Sequence, residues 1–282
     1  MLFVVGGVSM YVGAAVAVLL FDRVPPAGVA WLRLLGAAVV LLVWRRPSRA
    51  AWRGRRLLLA GSFGLVTALM NVAFYEAIAR LPLGTAVAVE FAGPVAVAAL
   101  GSRSGRDRAA LVLVALGVVA VADVRLAGSP AGVALALAAA ALWAGYIVLG
   151  SRVSRAAGPG GTGRALDDLT VGFVAAAVAL SPLALLAGPA LVSPTVLLAG
   201  IGVGIASSVV PYVLDQVVLR RVGRGRFALL LALLPLTATA VGLAALGQLP
   251  RPLEALGIAA VVAGVALRSR ERGDPPDPAS SG

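Results

Sequence analysis

The 282-residue chain has no cysteine, no histidine and no lysine. Without cysteine there are no disulfides and no thiolate nucleophile, and without histidine no imidazole acid–base relay. With both missing there is no Cys/His metal site. Charge is scarce as well: 13% of the residues are charged, against about 25% in soluble globular chains. Sixty per cent are apolar. This balance excludes an ordinary soluble enzyme and a disordered chain. The 24 basic residues are all arginine and face 12 acidic ones, a net charge of +12. Such an excess could point to nucleic acid, but a mean hydropathy of +0.99 makes membrane topology the better account and leaves nucleic acid out.

What is present is a succession of apolar runs with short polar breaks. Spans are expected near Leu2–Leu20, Ala27–Trp44, Leu57–Ala79, Leu83–Leu100 and Ala109–Val121, then Ala131–Gly150, Leu169–Ala187, Thr195–Leu219, Phe227–Gly247 and Leu253–Leu267. A bilayer span takes about 20 apolar residues, so ten spans account for most of the chain. The fold class is therefore all-α. Lipid offers backbone groups no outside partner, and the runs lack the alternation of a barrel. The fifth and tenth runs are short and need flanking residues or neighbouring helices. The first run has no basic flank and is too long for a signal peptide, so it reads as a retained span. The Pro/Asp/Ser-rich residues 269–282 read as a disordered cytoplasmic tail.

Arginine counting orients the chain. With a cytoplasmic N-terminus, nineteen arginines fall in inside segments; only Arg23, Arg80, Arg125 and Arg251 fall outside. That bias places both termini in the cytoplasm and requires an even number of spans. A shift of 141 residues aligns Asn71–Pro94 with Tyr212–Pro235, matching Arg80 with Arg221, Gly84 with Gly225 and Pro94 with Pro235. The shift divides the chain into two five-span halves, residues 1–126 and 127–268. An odd count per half makes them inverted, as in many transporters, which bind solute where the halves meet.

Ionisable groups within spans are candidate functional groups. Glu90 lies about seven residues, or roughly 10 Å, into the fourth span. A carboxyl there can take up a proton or a substrate ammonium in turn; the alternative is a structural ion pair. Arg33 lies at a similar depth in the second span. It could pair with Glu90 in the empty site and turn to a substrate carboxylate, or it could snorkel to headgroups. Gly93 and Pro94, one turn after Glu90, could kink the span and free carbonyls, with Pro235 serving the same purpose in the ninth. Asn71 is deep enough to hydrogen-bond between helices. Tyr11, Trp143 and Tyr146 could line a central cavity or simply pack. Asp215, five residues before the Arg220–Arg226 cluster, is a candidate cytoplasmic-side gate, with an ion pair as the plainer reading. Enzyme signatures are missing: there is no Gly-rich loop ending in lysine, no metal cluster and no Ser–His pair. No cofactor or metal is expected. The partners expected are a small solute, protons and the bilayer, with the chain a monomer or a homodimer.

The stretch YEAIARLPLGTAVAVEFAGPVAVAAL resembles the span 3–4 region of bacterial EamA-family transporters of the drug/metabolite transporter superfamily. PAGVAWLRLLGAAVVLLVWRRP, ALALAAAALWAGYIVLGSR and SSVVPYVLDQVVLRR are similar to other parts of the same family, and the likeness runs to about Arg268. It implies ten helices in two inverted repeats and export of small metabolites, amino acids such as threonine or homoserine, coupled to protons across the bacterial inner membrane. Glu90 matches the acidic residue of the family's EF-x-GP segment, Arg33 the arginine of its second span, and Asp215 an acidic residue after its PY pair. Two positions depart. The family's amino-acid exporters carry a glutamate before the span 9 proline and an acidic residue after the Leu-Gly pair closing that span; here these are Leu234 and Gln248. A drug-like or lipid-linked substrate is the rival within transport. A non-transporting membrane scaffold is the rival outside it.

Overall fold

The computed structural model describes residues 2–100, 105–126, 129–157, 162–211, 214, 231 and 233–269. Among these the chain is all-helical. Helices α1 (Leu2–Leu20), α2 (Pro26–Arg45), α3 (Gly54–Ile78), α4 (Leu83–Glu90), α5 (Ala92–Leu100) and α6 (Gly105–Leu126) come first. They are followed by α7 (Pro130–Ala157), α8 (Thr162–Ala179), the single turn α9 (Ala184–Ala187), α10 (Pro194–Gly204), α11 (Leu233–Leu246) and α12 (Pro252–Ser269).

Prolines open several of these helices, where the missing N–H goes unneeded and φ is already helical. Pro26 begins α2 and Pro194 begins α10. Helix ends follow backbone geometry as much as hydropathy. Arg46 adopts φ +46° after α2 and donates its N–H to the Leu42 carbonyl at 3.0 Å.

Four helices are long and apolar enough to cross a bilayer: Leu2–Leu20, Pro26–Arg45, Gly54–Ile78 and Pro130–Val153. A fifth candidate is bent by 55° between Gly163–Ala179 and Ser181–Ala187, where Pro182 cannot continue the helical ladder. Five shorter apolar helices complete the set among the described residues. The expected fourth span is two helices, α4 and α5, interrupted at Phe91. The expected fifth is longer than its apolar run, because α6 extends from Gly105 to Leu126. Helix α7 similarly continues seven residues past the expected Gly150. Polarity marks where a helix leaves the apolar layer and says little about where it stops winding. The expected eighth span begins as α10, loosens into a π turn over Ile205–Val209, and then runs into residues outside the description. Most of the tail, residues 270–282, lies outside it too.

Packing mixes early and late parts of the chain. Helix α3 lies between α7 and α8, α2 against α10 and α8, α1 and α4 against α11, and α6 along α12. Large aliphatic side chains point outward from many helices; Val43, Leu58, Val119, Val178 and Leu198 are all more than half exposed. Inside, the close crossings rest on small residues, as expected where lipid removes the usual hydrophobic drive. At the α3–α8 crossing, a Cβ on Gly64 would collide with the Gly172 carbonyl, and one on Gly172 would meet the Ala60 carbonyl. Gly64→Val should therefore destabilise the protein by about 1–3 kcal/mol through overpacking. A lowered unfolding midpoint in detergent is the expected result, and an unchanged one would contradict this crossing.

Candidate functional site

A cavity of about 390 Å³ opens among the helices. Its walls draw on α1, α2, α3, the α4–α5 break, α7, α8, the π turn after α10, and α11. Six residues singled out from sequence meet here: Tyr11, Arg33, Asn71, Glu90, Trp143 and Tyr146. Pro94 lines it as well.

Arg33 is the best-anchored of them. Its Nη1 donates to Asn71 Oδ1 on α3 at 2.5 Å, its Nη2 to the Ser207 carbonyl at 2.9 Å, and its Nε to Ser208 Oγ at 3.1 Å. The guanidinium also stands 5.4 Å from the centre of the Tyr75 ring, a cation–π contact. Asn71 is fixed in turn, because its Nδ2 donates to the Thr67 carbonyl one turn earlier, at 2.7 Å. The expected resting pair of Arg33 with Glu90 is absent: no ion pair joins them. The guanidinium is already engaged by neutral acceptors on α3 and on the π turn, and it does not snorkel.

Ser207 and Ser208 were not singled out from sequence. They sit in the π turn over Ile205–Val209, and the Ser207 carbonyl accepts from Arg33. Such turns are frequent at functional sites. Ser207 Oγ also donates to the Met10 carbonyl at 3.0 Å, and Ser9 Oγ donates to the Ala206 carbonyl at 2.9 Å. These two bonds lock α1 to the turn. The signal was a pair of hydroxyls in an apolar run just before Pro211-Tyr212.

Glu90 ends α4 and is 8% exposed. Its carboxylate faces the cavity, and among the described residues no ion pair or hydrogen bond engages it. Pro94, four residues on, has no N–H to return to the Glu90 carbonyl, so the helix breaks between them. Gly93 does not line the cavity. A Cβ there would strike the Ala140 carbonyl, so its role is to let α5 lie directly on α7. Phe91 and Trp143 hold the break in place, their rings edge to face at 4.9 Å.

Pro235 lies buried in α11 and does not reach the cavity; its carbonyl accepts from Thr239 Oγ1 at 2.8 Å. The two positions that depart from the family pattern part company in space. Leu234 lines the cavity, whereas Gln248 does not. Gly247, at φ +63°, closes α11, with the Gln248 N–H returning to the Gly242 carbonyl at 3.0 Å. This glycine-dependent cap aims Gln248, whose Oε1 accepts the Leu83 N–H that begins α4, at 2.8 Å. Asp215 lies outside the described residues.

The profile of the EamA-like transporter family matches residues 130–270. The threonine/homoserine exporter RhtA of Escherichia coli (strain K12) is 35% identical over 90% of this chain and 85% of its own length. The chain belongs to the EamA-like transporter family. The threonine/homoserine exporter RhtA of Salmonella typhimurium (strain LT2) is 34% identical with the same coverage. A crystal structure that is 21% identical superposes with a TM-score of 0.58, covering 94% of this chain and 95% of that one; it supports the fold alone. Membership in the EamA-like family makes this chain a multi-pass membrane exporter of the drug/metabolite type, a transporter rather than an enzyme, in a bacterial inner membrane.

The Arg33 cluster gives a stability test. Asn71→Leu leaves a charged donor inside an apolar wall and should destabilise the protein by about 1.5–3 kcal/mol. Ser208→Ala removes one long bond of three and should lower the unfolding midpoint less. Equal losses would show that Asn71 is not the main anchor.

Proposed function

We propose that this EamA-like transporter exports small amino-acid-like solutes, threonine and homoserine among them, by alternating access in exchange for protons. The observation that carries the reading is the pairing of an unengaged carboxylate, Glu90, with a guanidinium, Arg33, in the walls of one cavity. A zwitterion has an ammonium for the first and a carboxylate for the second. Arg33 has five N–H donors, of which three are engaged, so a fork remains for solute. The relatives' name supports the same class of substrate.

Glu90 is the coupling group of this proposal. It is the single acidic side chain among the described cavity-lining residues, because Leu234 stands where the family's amino-acid exporters carry a glutamate. Protonation neutralises it and releases the ammonium; deprotonation lets the next solute bind. Ten spans in two inverted halves, residues 1–126 and 127–268, rock about the cavity, with both termini and the 269–282 tail cytoplasmic. Trp143, Tyr146 and Tyr11 shape the solute's path, and Asp215 gates its cytoplasmic side.

One observation favours a second reading. Phe3, Met10, Trp44, Met70, Phe74 and Phe173 make much of the cavity wall apolar, which suits a drug-like or lipid-linked solute. The test is flux of labelled threonine in liposomes under an imposed pH gradient. Gradient-driven flux is expected, falling to background in Glu90→Gln. Flux that survives this substitution would end the role given to Glu90. Absence of flux from folded wild-type protein would remove threonine and favour the apolar solute.

A further inference from the structure

A second recess, of about 680 Å³, opens between the first turn of α3, the last turns of α7 and the first turns of α8. Five arginines line it: Arg55 and Arg56 from α3, Arg152 and Arg155 from α7, and Arg164 from α8. Asp168 is the one carboxylate in its walls. It is taken, because Arg56 Nε donates to its Oδ1 at 2.5 Å. Its neighbour Asp167 is taken by Arg45 at 3.0 Å. Arg55, Arg152, Arg155 and Arg164 therefore have no carboxylate partner among the described residues.

This arrangement is unfavourable without an anion. Arg55, Arg56 and Arg164 stand in the first turns of helices, where the macrodipole disfavours cations. They face Arg152 and Arg155 across the recess, adding like-charge repulsion. Of the five, Arg155 alone stands in the last turn of its helix, where the dipole favours a cation.

We propose that the recess binds the phosphate of an anionic phospholipid headgroup. Guanidinium forks match phosphate oxygens, and basic pockets between membrane helices bind acidic headgroups. The rest of the wall selects lipid over free phosphate. Leu59, Ala60, Val153 and Ala156 complete it, and on the same turn of α3 Leu58 is 72% exposed, offering aliphatic surface for the start of an acyl chain. Position agrees, because the recess lies where three helices leave their apolar stretches. The anion would tie α3, α7 and α8 together at one end of the bundle, away from the central cavity.

The test is native mass spectrometry of the full chain in detergent, titrated with dioleoyl-phosphatidylglycerol and, separately, dioleoyl-phosphatidylcholine. Wild-type protein should retain the glycerol lipid in preference to the choline lipid. Arg155→Gln/Arg164→Gln should bind phosphatidylglycerol about thirtyfold more weakly, from the loss of two surface cations, with phosphatidylcholine binding unchanged. Arg23→Gln/Arg251→Gln, matched in charge but in loops outside the recess, should bind like wild type. If the double variant unfolds early in phosphatidylcholine, Arg155→Gln alone replaces it, with an expected loss of about fivefold. Wild-type affinity in the folded recess variant would overturn the proposal. So would displacement of the lipid by inorganic phosphate at equal concentration, which would make the recess a free-anion site.

Discussion

A permanent cation inside an apolar bundle has to be held, and much of this structure is arranged around holding Arg33. A guanidinium cannot shed its charge to escape an apolar setting. Its hydrogen bonds therefore have to be satisfied wherever the chain places it. Asn71 comes from α3 and the two serines from the turn after α10, so one side chain joins three segments far apart in sequence. The π turn contributes two of the three acceptors, the Ser207 carbonyl and the Ser208 hydroxyl. The same turn is bonded to α1 through Ser9 and Met10, so the cation's support extends to a fourth helix.

Glu90 is placed by a different device. Its helix stops because Pro94 cannot supply the N–H that would continue it, and Gly93 lets the continuing segment press against α7. Arg33 is thus held by many bonds while Glu90 is held by backbone geometry alone. The pair consists of one fixed charge and one carboxylate left open to the cavity. That asymmetry suits a site in which only one of two groups has to change partner.

Much of this was legible in the sequence. Apolar runs located most of the helices, because a long run without alternation has few folds open to it. Glu90, Arg33 and Asn71 stood out because a polar residue in such a run is conspicuous, and the cavity gathers them. What could not be read is where a helix loosens: Gly204 and Pro211 flank the π turn, but neither specifies that the winding widens over Ile205–Val209. Ser207 and Ser208 look like ordinary small packing residues until the π turn is known. The Arg33–Glu90 pair was a natural expectation from depth alone, but depth ignores rotation about the helix axis and the neutral acceptors closer at hand. Glu254 was passed over because it begins the last span. The structure buries it completely, with Oε1 accepting from Thr85 and Oε2 accepting the Arg251 N–H at the start of α12.

Three helix starts, those of α2, α4 and α12, are held by long polar side chains. Glu76 accepts the Ala27 N–H of α2, Glu254 accepts at α12, and Gln248 accepts the Leu83 N–H of α4. Two of the three acceptors are carboxylates. The third is an amide with nothing to titrate. The one helix of the three that leads to Glu90 is moored twice in its first turn, by Gln248 at the Leu83 N–H and by Glu254 through Thr85. That double mooring makes the start of α4 its fixed end, and the end that carries Glu90 is the one free to swing.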